Sequence, residues 1–71
     1  MRRYLILIEP TASGFSAYSP DLPGCVATGS TRADVEQTMR DAVELHLEGL
    51  REIGEPVPPP RTSAAYVEVA A

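Results

Sequence analysis

The sequence predicts a small α+β fold with the element order β-β-β-α-β, in which one long helix packs on one face of a curved, largely antiparallel sheet. Two observations carry this prediction. Short runs of β-forming residues are separated by turns rich in Pro and Gly, and one long segment repeats its apolar residues every three or four positions. The 71 residues have room for one domain with one small core. We therefore expect a single domain over residues 1–71.

The first three strands are predicted over residues 3–9, 15–19 and 25–28. The run Tyr-Leu-Ile-Leu-Ile at positions 4–8 consists of β-formers and ends at Glu9-Pro10. A turn-forming cluster over residues 10–14 then leads into the second strand, which should pair with the first as an antiparallel hairpin. Two prolines and a glycine over residues 20–24 interrupt the chain before the third strand.

A helix is predicted over residues 32–53. Ser30 or Thr31 can cap its N-terminus, and Thr31 with Asp34 resembles a capping box. Gly54 suits the end of the helix, and the prolines that follow it prevent continuation. The apolar side of the helix consists of Val35, Met39, Ala42, Val43, His46, Leu50 and Ile53.

A fourth strand is predicted over residues 65–69, after a stiff Pro-rich connection. The first strand is apolar on both faces, since Tyr4, Ile6 and Ile8 alternate with two leucines. A single helix covers one face only, and at about 33 Å it is longer than strands of about 20 Å. We therefore expect a homo-oligomer. The candidates for its interface are Leu5, Leu7, Leu47 and Leu50.

Composition limits the classes of partner. The formal net charge of −4 disfavours direct binding to DNA or RNA, whose affinity for proteins depends on Lys and Arg contacts to phosphate. An acidic surface suits a basic protein partner, although an ordinary solvated surface has the same composition. No apolar run approaches the length of a membrane span, and a lone cysteine fits a reducing compartment. We expect a cytoplasmic protein.

Three groups of residues were weighed as chemical sites. His46 lies on the apolar side of the helix without a metal-binding spacing, and Cys25 lacks an evident base, so both are interpreted as structural. Glu9 and Asp21 lie at strand ends, where a sheet could bring two carboxylates together for a divalent metal. Two acids are an incomplete set for hydrolysis, so we expect neither catalysis nor a metal or other cofactor.

The run from Tyr18 to Thr31, Tyr-Ser-Pro-Asp-Leu-Pro-Gly-Cys-Val-Ala-Thr-Gly-Ser-Thr, resembles HicB-like antitoxins, as do the helix that follows it and the Pro-rich segment. The resemblance extends over about residues 4–69. It implies a partial RNase H-like fold without the catalytic carboxylates of that enzyme. It also implies binding and inhibition of HicA, a small basic ribonuclease. Many HicB proteins carry a C-terminal DNA-binding domain, which we do not expect here.

The matched motif positions are the candidates for partner binding: Tyr18, Asp21, Leu22, Pro23, Gly24 and Cys25. In an alternative interpretation, Pro23 and Gly24 shape the loop and Leu22 holds it to the core. Three functions remain open at this point. The leading one is an antitoxin; the others are a structural or ligand-binding oligomer of the same fold, and a metal-dependent hydrolase that uses Glu9 and Asp21.

Overall fold

The computed structural model describes residues 2–71, which form three strands followed by one helix. The strands pair antiparallel in the order β1-β2-β3, so the sheet is a simple meander with β1 and β3 at its edges. This confirms the predicted α+β class, the antiparallel sheet and the single long helix. The elements are β1 (Leu7–Pro10), β2 (Phe15–Tyr18), β3 (Val26–Gly29) and α1 (Arg32–Glu52).

The first strand is shorter than predicted. Its ladder begins at Leu7, which pairs with Tyr18 at the end of β2. Beyond that pair β2 turns away at Ser19, whose backbone N–H donates to the carbonyl of Cys25 instead. Residues 4–6 therefore have no backbone partner in β2, although the Ser19 hydroxyl donates to the carbonyl of Leu5 at 3.0 Å.

The fourth strand predicted over residues 65–69 is not formed among the described residues. The chain from residue 53 onward has no strand pairing, and every residue from 59 to 71 is exposed. A strand exists only where its backbone groups pair with another strand, and this segment meets none in the single chain. The prediction of a fourth strand at this position is therefore not met in the described chain.

The helix begins and ends as the sequence predicts, to within one residue. Thr31 is the N-cap, and its hydroxyl accepts the N–H of Asp34 at 3.1 Å. At the other end Gly54 has φ 73° and donates to the carbonyl of Arg51, while Glu55 donates to that of Leu50. These two bonds form a Schellman motif, which satisfies carbonyls that the helix leaves unpaired.

The core lies between α1 and the β2–β3 half of the sheet. Gly29 allows the helix to start close to β3, because a Cβ there would lie 2.7 Å from the backbone nitrogen of Val35. The buried apolar residues of the core are Ala17, Leu22, Cys25, Val35 and Met39. Such a core is small even for a chain of this length.

Candidate partner-binding surfaces

The face of the sheet that points away from α1 carries a row of apolar side chains. Leu7, Tyr18 and Val26 occupy one register position across the three strands, next to the row of Ile8, Ala17 and Ala27 that faces the helix. Tyr18 is 41% exposed and Val26 is 66% exposed. We call the side of the sheet that carries the row of Leu7, Tyr18 and Val26 the open face. Its existence follows from the two-sided apolar pattern of the first strand.

The loop between β2 and β3 is built from two consecutive turns. Leu22 donates its N–H to the carbonyl of Ser19, and Cys25 donates to that of Leu22. Gly24 has φ 83°, the conformation that a type II turn requires at its third position after Pro23. The two turns direct Leu22 inward, where its side chain is fully buried.

Asp21, in the same loop, holds the segment that follows the helix. Its carboxylate accepts the backbone N–H groups of Arg61 and Thr62, both at 2.9 Å, and the hydroxyl of Thr62 at 2.7 Å. These hydrogen bonds, chiefly that from the Thr62 N–H, lower the pKa of the Asp21 carboxyl from its ordinary value of 3.8. The Tyr4 hydroxyl donates to the carbonyl of Pro58 and gives the segment a second attachment.

The loop candidates for partner binding divide by burial. Leu22 and Cys25 are buried, so they offer no surface to a partner, and the alternative interpretation of Leu22 as a core residue is the one that fits. Asp21 is engaged within the chain. Tyr18, Pro23 and Gly24 are exposed, and their contact with a partner stays a prediction.

The candidates for an oligomer interface also lie in different environments. Leu5 and Leu7 are half-buried, and neither is among the side chains that pack against the core cluster. Leu47 is partly buried against the core of its own chain. The place of all three in an interface stays a prediction. Leu50 is half-buried, and Ile53 beyond it is 72% exposed.

A groove of about 840 Å³ runs between the start of the first strand and α1. It exists because the helix packs on β2 and β3 and leaves the β1 side of the sheet less covered. Apolar side chains line it, among them Tyr4, Ile6, Met39, Val43 and Leu47; its charged lining residues are Arg2, Arg3, Glu36, Arg40, Glu44 and Arg51.

The outer side of α1 is acidic. At 100° per residue, positions 34, 41, 48 and 52 fall on one side, and each carries an exposed carboxylate. Leu45 lies among them with 69% of its surface exposed. We call Asp34, Asp41, Leu45, Glu48 and Glu52 the acidic stripe. The sequence analysis did not single out this set of residues or Leu45 among them.

The geometry does not support the predicted carboxylate pair. Glu9 pairs with Ser16 toward one end of the β1–β2 hairpin, whereas Asp21 lies in the loop beyond the opposite end of β2. These two residues therefore do not form the carboxylate pair on which the hydrolase alternative depends. Within residues 2–71, no group of three or more His, Cys, Asp and Glu side chains could hold a metal ion.

Cys25 and His46, the remaining candidates for a chemical site, both have the surroundings of structural residues. Cys25 is buried, and burial raises the pKa of its thiol, which disfavours the reactive thiolate. His46 is half-buried on the core side of α1, as its position in the apolar pattern indicates. No helix of residues 2–71 is long and apolar enough to cross a membrane.

Comparison with protein families gives one match over almost the whole chain. Residues 4–70 match the model of the HicB-like antitoxin of bacterial toxin-antitoxin systems. A 14.9 kDa protein from the rep-hol intergenic region of Haemophilus phage HP1 is 31% identical over 64 residues, which cover 90% of this chain and 48% of the phage protein. A UPF0150 protein of Synechocystis is 36% identical over 78% of this chain and 71% of its own length.

Solved structures show the same relationship. A chain of the HicA3 and HicB3 toxin-antitoxin complex superposes with a TM-score of 0.73 and 40% identity, over 83% of this chain and 70% of that one. The crystal structure of the antitoxin HicB3 gives a TM-score of 0.70 and 38% identity, over 84% of this chain and 44% of that one. The chain thus spans about half the length of the phage protein and of the second HicB3 chain.

Proposed function

Because this chain belongs to the HicB-like antitoxin family, we propose that it is a non-catalytic antitoxin that binds and inhibits a ribonuclease toxin of the HicA type. The observation that carries the proposal is its similarity, at 40% identity, to a chain of the HicA3 and HicB3 complex. The proposed location is the cytoplasm, where such a toxin would meet its RNA.

The acidic stripe is the surface we assign to the toxin. The toxin is proposed to be basic, and complementary potentials across an interface accelerate the encounter of two proteins and fix their orientation. The stripe presents four carboxylates along one side of the helix, and no lysine or arginine of the helix lies on that side. Leu45 supplies an exposed apolar side chain at its centre.

Co-expression tests this function in cells. A HicA-type toxin is produced from an inducible promoter, with or without the chain, and growth and co-purification at physiological salt are measured. We expect growth arrest by the toxin alone, and recovery of growth with a stable complex when both are present. Arrest in the presence of both proteins, with no complex, would contradict the antitoxin function.

Paired variants test the surface. The change Glu48→Gln with Glu52→Gln removes two charges from the acidic stripe at exposed positions that make no side-chain hydrogen bond among those described. We expect binding to weaken by about 3–10-fold, mainly through slower association and less so as salt rises. The matched control, Glu9→Gln with Glu55→Gln, removes the same charge at two exposed positions elsewhere and should bind nearly as the native chain does. Equal effects of both pairs would exclude the stripe as the docking surface.

A further inference from the structure

The positive charge of this acidic chain is concentrated around one groove. The formal net charge is −4, and the six lysine and arginine residues of the chain are all arginine. Four of them, Arg2, Arg3, Arg40 and Arg51, line the groove between the start of the first strand and α1, and all four are exposed. The groove is therefore a positive region on a molecule that is otherwise acidic.

The guanidinium groups of the groove are largely free of partners in the chain itself. The one ion pair among residues 2–71 joins Arg32, outside the groove, to Glu36 at 3.4 Å, and so engages one of the two glutamates that line the groove. Arg2 makes a hydrogen bond of 3.5 Å to the Tyr4 hydroxyl, the only side-chain bond of a groove arginine in the part of the chain that the structure describes. Most of the N–H donors of these arginines thus remain available to a ligand.

Three of the arginines lie at one end of the groove. The Tyr4 hydroxyl donates to the carbonyl of Pro58, which places the start of the first strand beside the segment that leaves α1. Arg2 and Arg3 immediately precede Tyr4, and Arg51 lies in the last turn of the helix. We call Arg2, Arg3 and Arg51 the basic end of the groove.

The rest of the groove is elongated and has an apolar floor. Arg40 and Arg51 are about three turns, or about 16 Å, apart on α1. Val43 and Leu47 lie between them at spacings of three and four, so the same side of the helix presents an apolar surface between two arginines. Ile6 lines the groove from the first strand. The three apolar side chains are partly buried against the core, which holds this floor in place.

An apolar floor that ends in a cluster of arginines fits an elongated amphiphilic anion. Burial favours an aliphatic chain, and guanidinium groups bind carboxylate or phosphate through charge-assisted hydrogen bonds. A concave site admits a single small molecule, whereas a membrane surface takes up an apolar face that projects from a protein. The segment after the helix lies beside the groove at Pro58, but no residue after Arg51 lines it within residues 2–71.

We propose that the groove binds a small amphiphilic anion, with its acidic group at the basic end and its aliphatic chain along Ile6, Val43 and Leu47. The ligand class is an unbranched aliphatic chain with one carboxylate or phosphate. This binding is separate from toxin binding, because the acidic stripe lies on another side of α1.

Titration of the native chain with decanoate, below the concentration at which it forms micelles, tests the proposal. The methyl resonances of Val43 and Leu47 should shift, and affinity should fall about fourfold for each CH₂ removed from the ligand, so that acetate gives no shift. Decyltrimethylammonium, which has a similar tail and the opposite charge, should bind at least about 10-fold more weakly. No shift with decanoate, equal binding of acetate or of the ammonium compound, or retention on phosphatidylglycerol vesicles instead, would overturn the proposal.

Matched arginine variants locate the acidic group of the ligand. Arg51→Gln removes a guanidinium from the basic end, and Arg61→Gln removes one from an exposed position outside the groove. Arg51→Gln should weaken decanoate binding by about 10-fold, through the loss of a charge-assisted hydrogen bond, and Arg61→Gln by less than about twofold. Circular dichroism should show both variants folded, since both side chains are exposed. Equal affinities of the two variants for decanoate would contradict the assignment of the basic end.

Discussion

At the scale of single residues, Asp21 connects two parts of the chain that are 40 residues apart. Its carboxylate accepts three hydrogen bonds from Arg61 and Thr62, in the segment that follows the helix. The sequence made Asp21 a candidate for metal binding, as a carboxylate at a strand end, and the family resemblance made it a candidate for partner binding. The contact itself was not predictable, since no local pattern indicates which distant backbone an aspartate will meet.

Replacing Asp21 by Asn should weaken the attachment of Arg61 and Thr62 to the β2–β3 loop. The amide keeps one acceptor oxygen and loses the charge, so hydrogen exchange of the Arg61 and Thr62 N–H groups should accelerate, while exchange within β2 stays the same. Glu9→Gln, an exposed change elsewhere, is the control. Unchanged protection of both N–H groups in Asp21→Asn would contradict the role given to this carboxylate.

The same contact predicts a pH dependence. Folding lowers the pKa of the Asp21 carboxyl below 3.8, so the contact contributes stability that is fully present above pH 3.8. The contribution is lost as the pH falls through the lower pKa of the folded state. A pH titration of the Thr62 amide resonance should show this loss below pH 3.8, and a transition near neutral pH would contradict it.

Leu22 lies in the same loop as Asp21, but its side chain belongs to the core. It is fully buried, whereas Val26, four residues later, is 66% exposed. We expect Leu22→Ala to lower the free energy of unfolding by about 2–5 kcal/mol, through lost burial and the cavity left behind. Val26→Ala should change it by less than about 0.5 kcal/mol. Denaturant unfolding measures both, and equal losses would show that Leu22 is not a core residue.

At the scale of elements, the helix was predictable and the fourth strand was not. Capping residues and the three-to-four spacing act within a few positions, so the sequence located α1 to within one residue. A strand needs a partner edge, which may lie anywhere in the fold or in another chain. The residue types over positions 65–69 therefore predicted a strand without indicating which strand it would pair with. The same limitation explains why the first strand, Leu7–Pro10, is shorter than the sequence predicted.

Replacing each of two glycines by alanine, one at a time, tests how the helix ends. Gly54 has φ 73° in the Schellman motif, so Gly54→Ala should lower the free energy of unfolding by about 1 kcal/mol. Gly49 lies inside α1 with open space around its Cβ position, so Gly49→Ala should raise it by about 0.5–1 kcal/mol. Thermal unfolding should therefore show shifts of opposite sign. Shifts of the same sign would contradict this account of how α1 ends.

At the scale of the whole molecule, three surfaces remain uncovered in the single chain: the open face, the groove with its vacant strand edge, and the acidic stripe. The first strand predicted an exposed apolar face, and the net charge of −4 predicted an acidic surface. Their positions came from the structure, because they depend on how α1 crosses the sheet. Of these surfaces, the acidic stripe is the one we propose for the toxin. Tyr18 on the open face stays a candidate contact.

Inhibition of RNA cleavage tests the central claim, that the chain is an antitoxin, most directly. The purified chain is titrated into a HicA-type ribonuclease, and cleavage of a single-stranded RNA is measured at each ratio. The account predicts that cleavage falls in proportion to added chain and ceases at a fixed stoichiometry, while Glu48→Gln with Glu52→Gln requires more protein for the same effect. Undiminished cleavage in the presence of excess folded chain would contradict it.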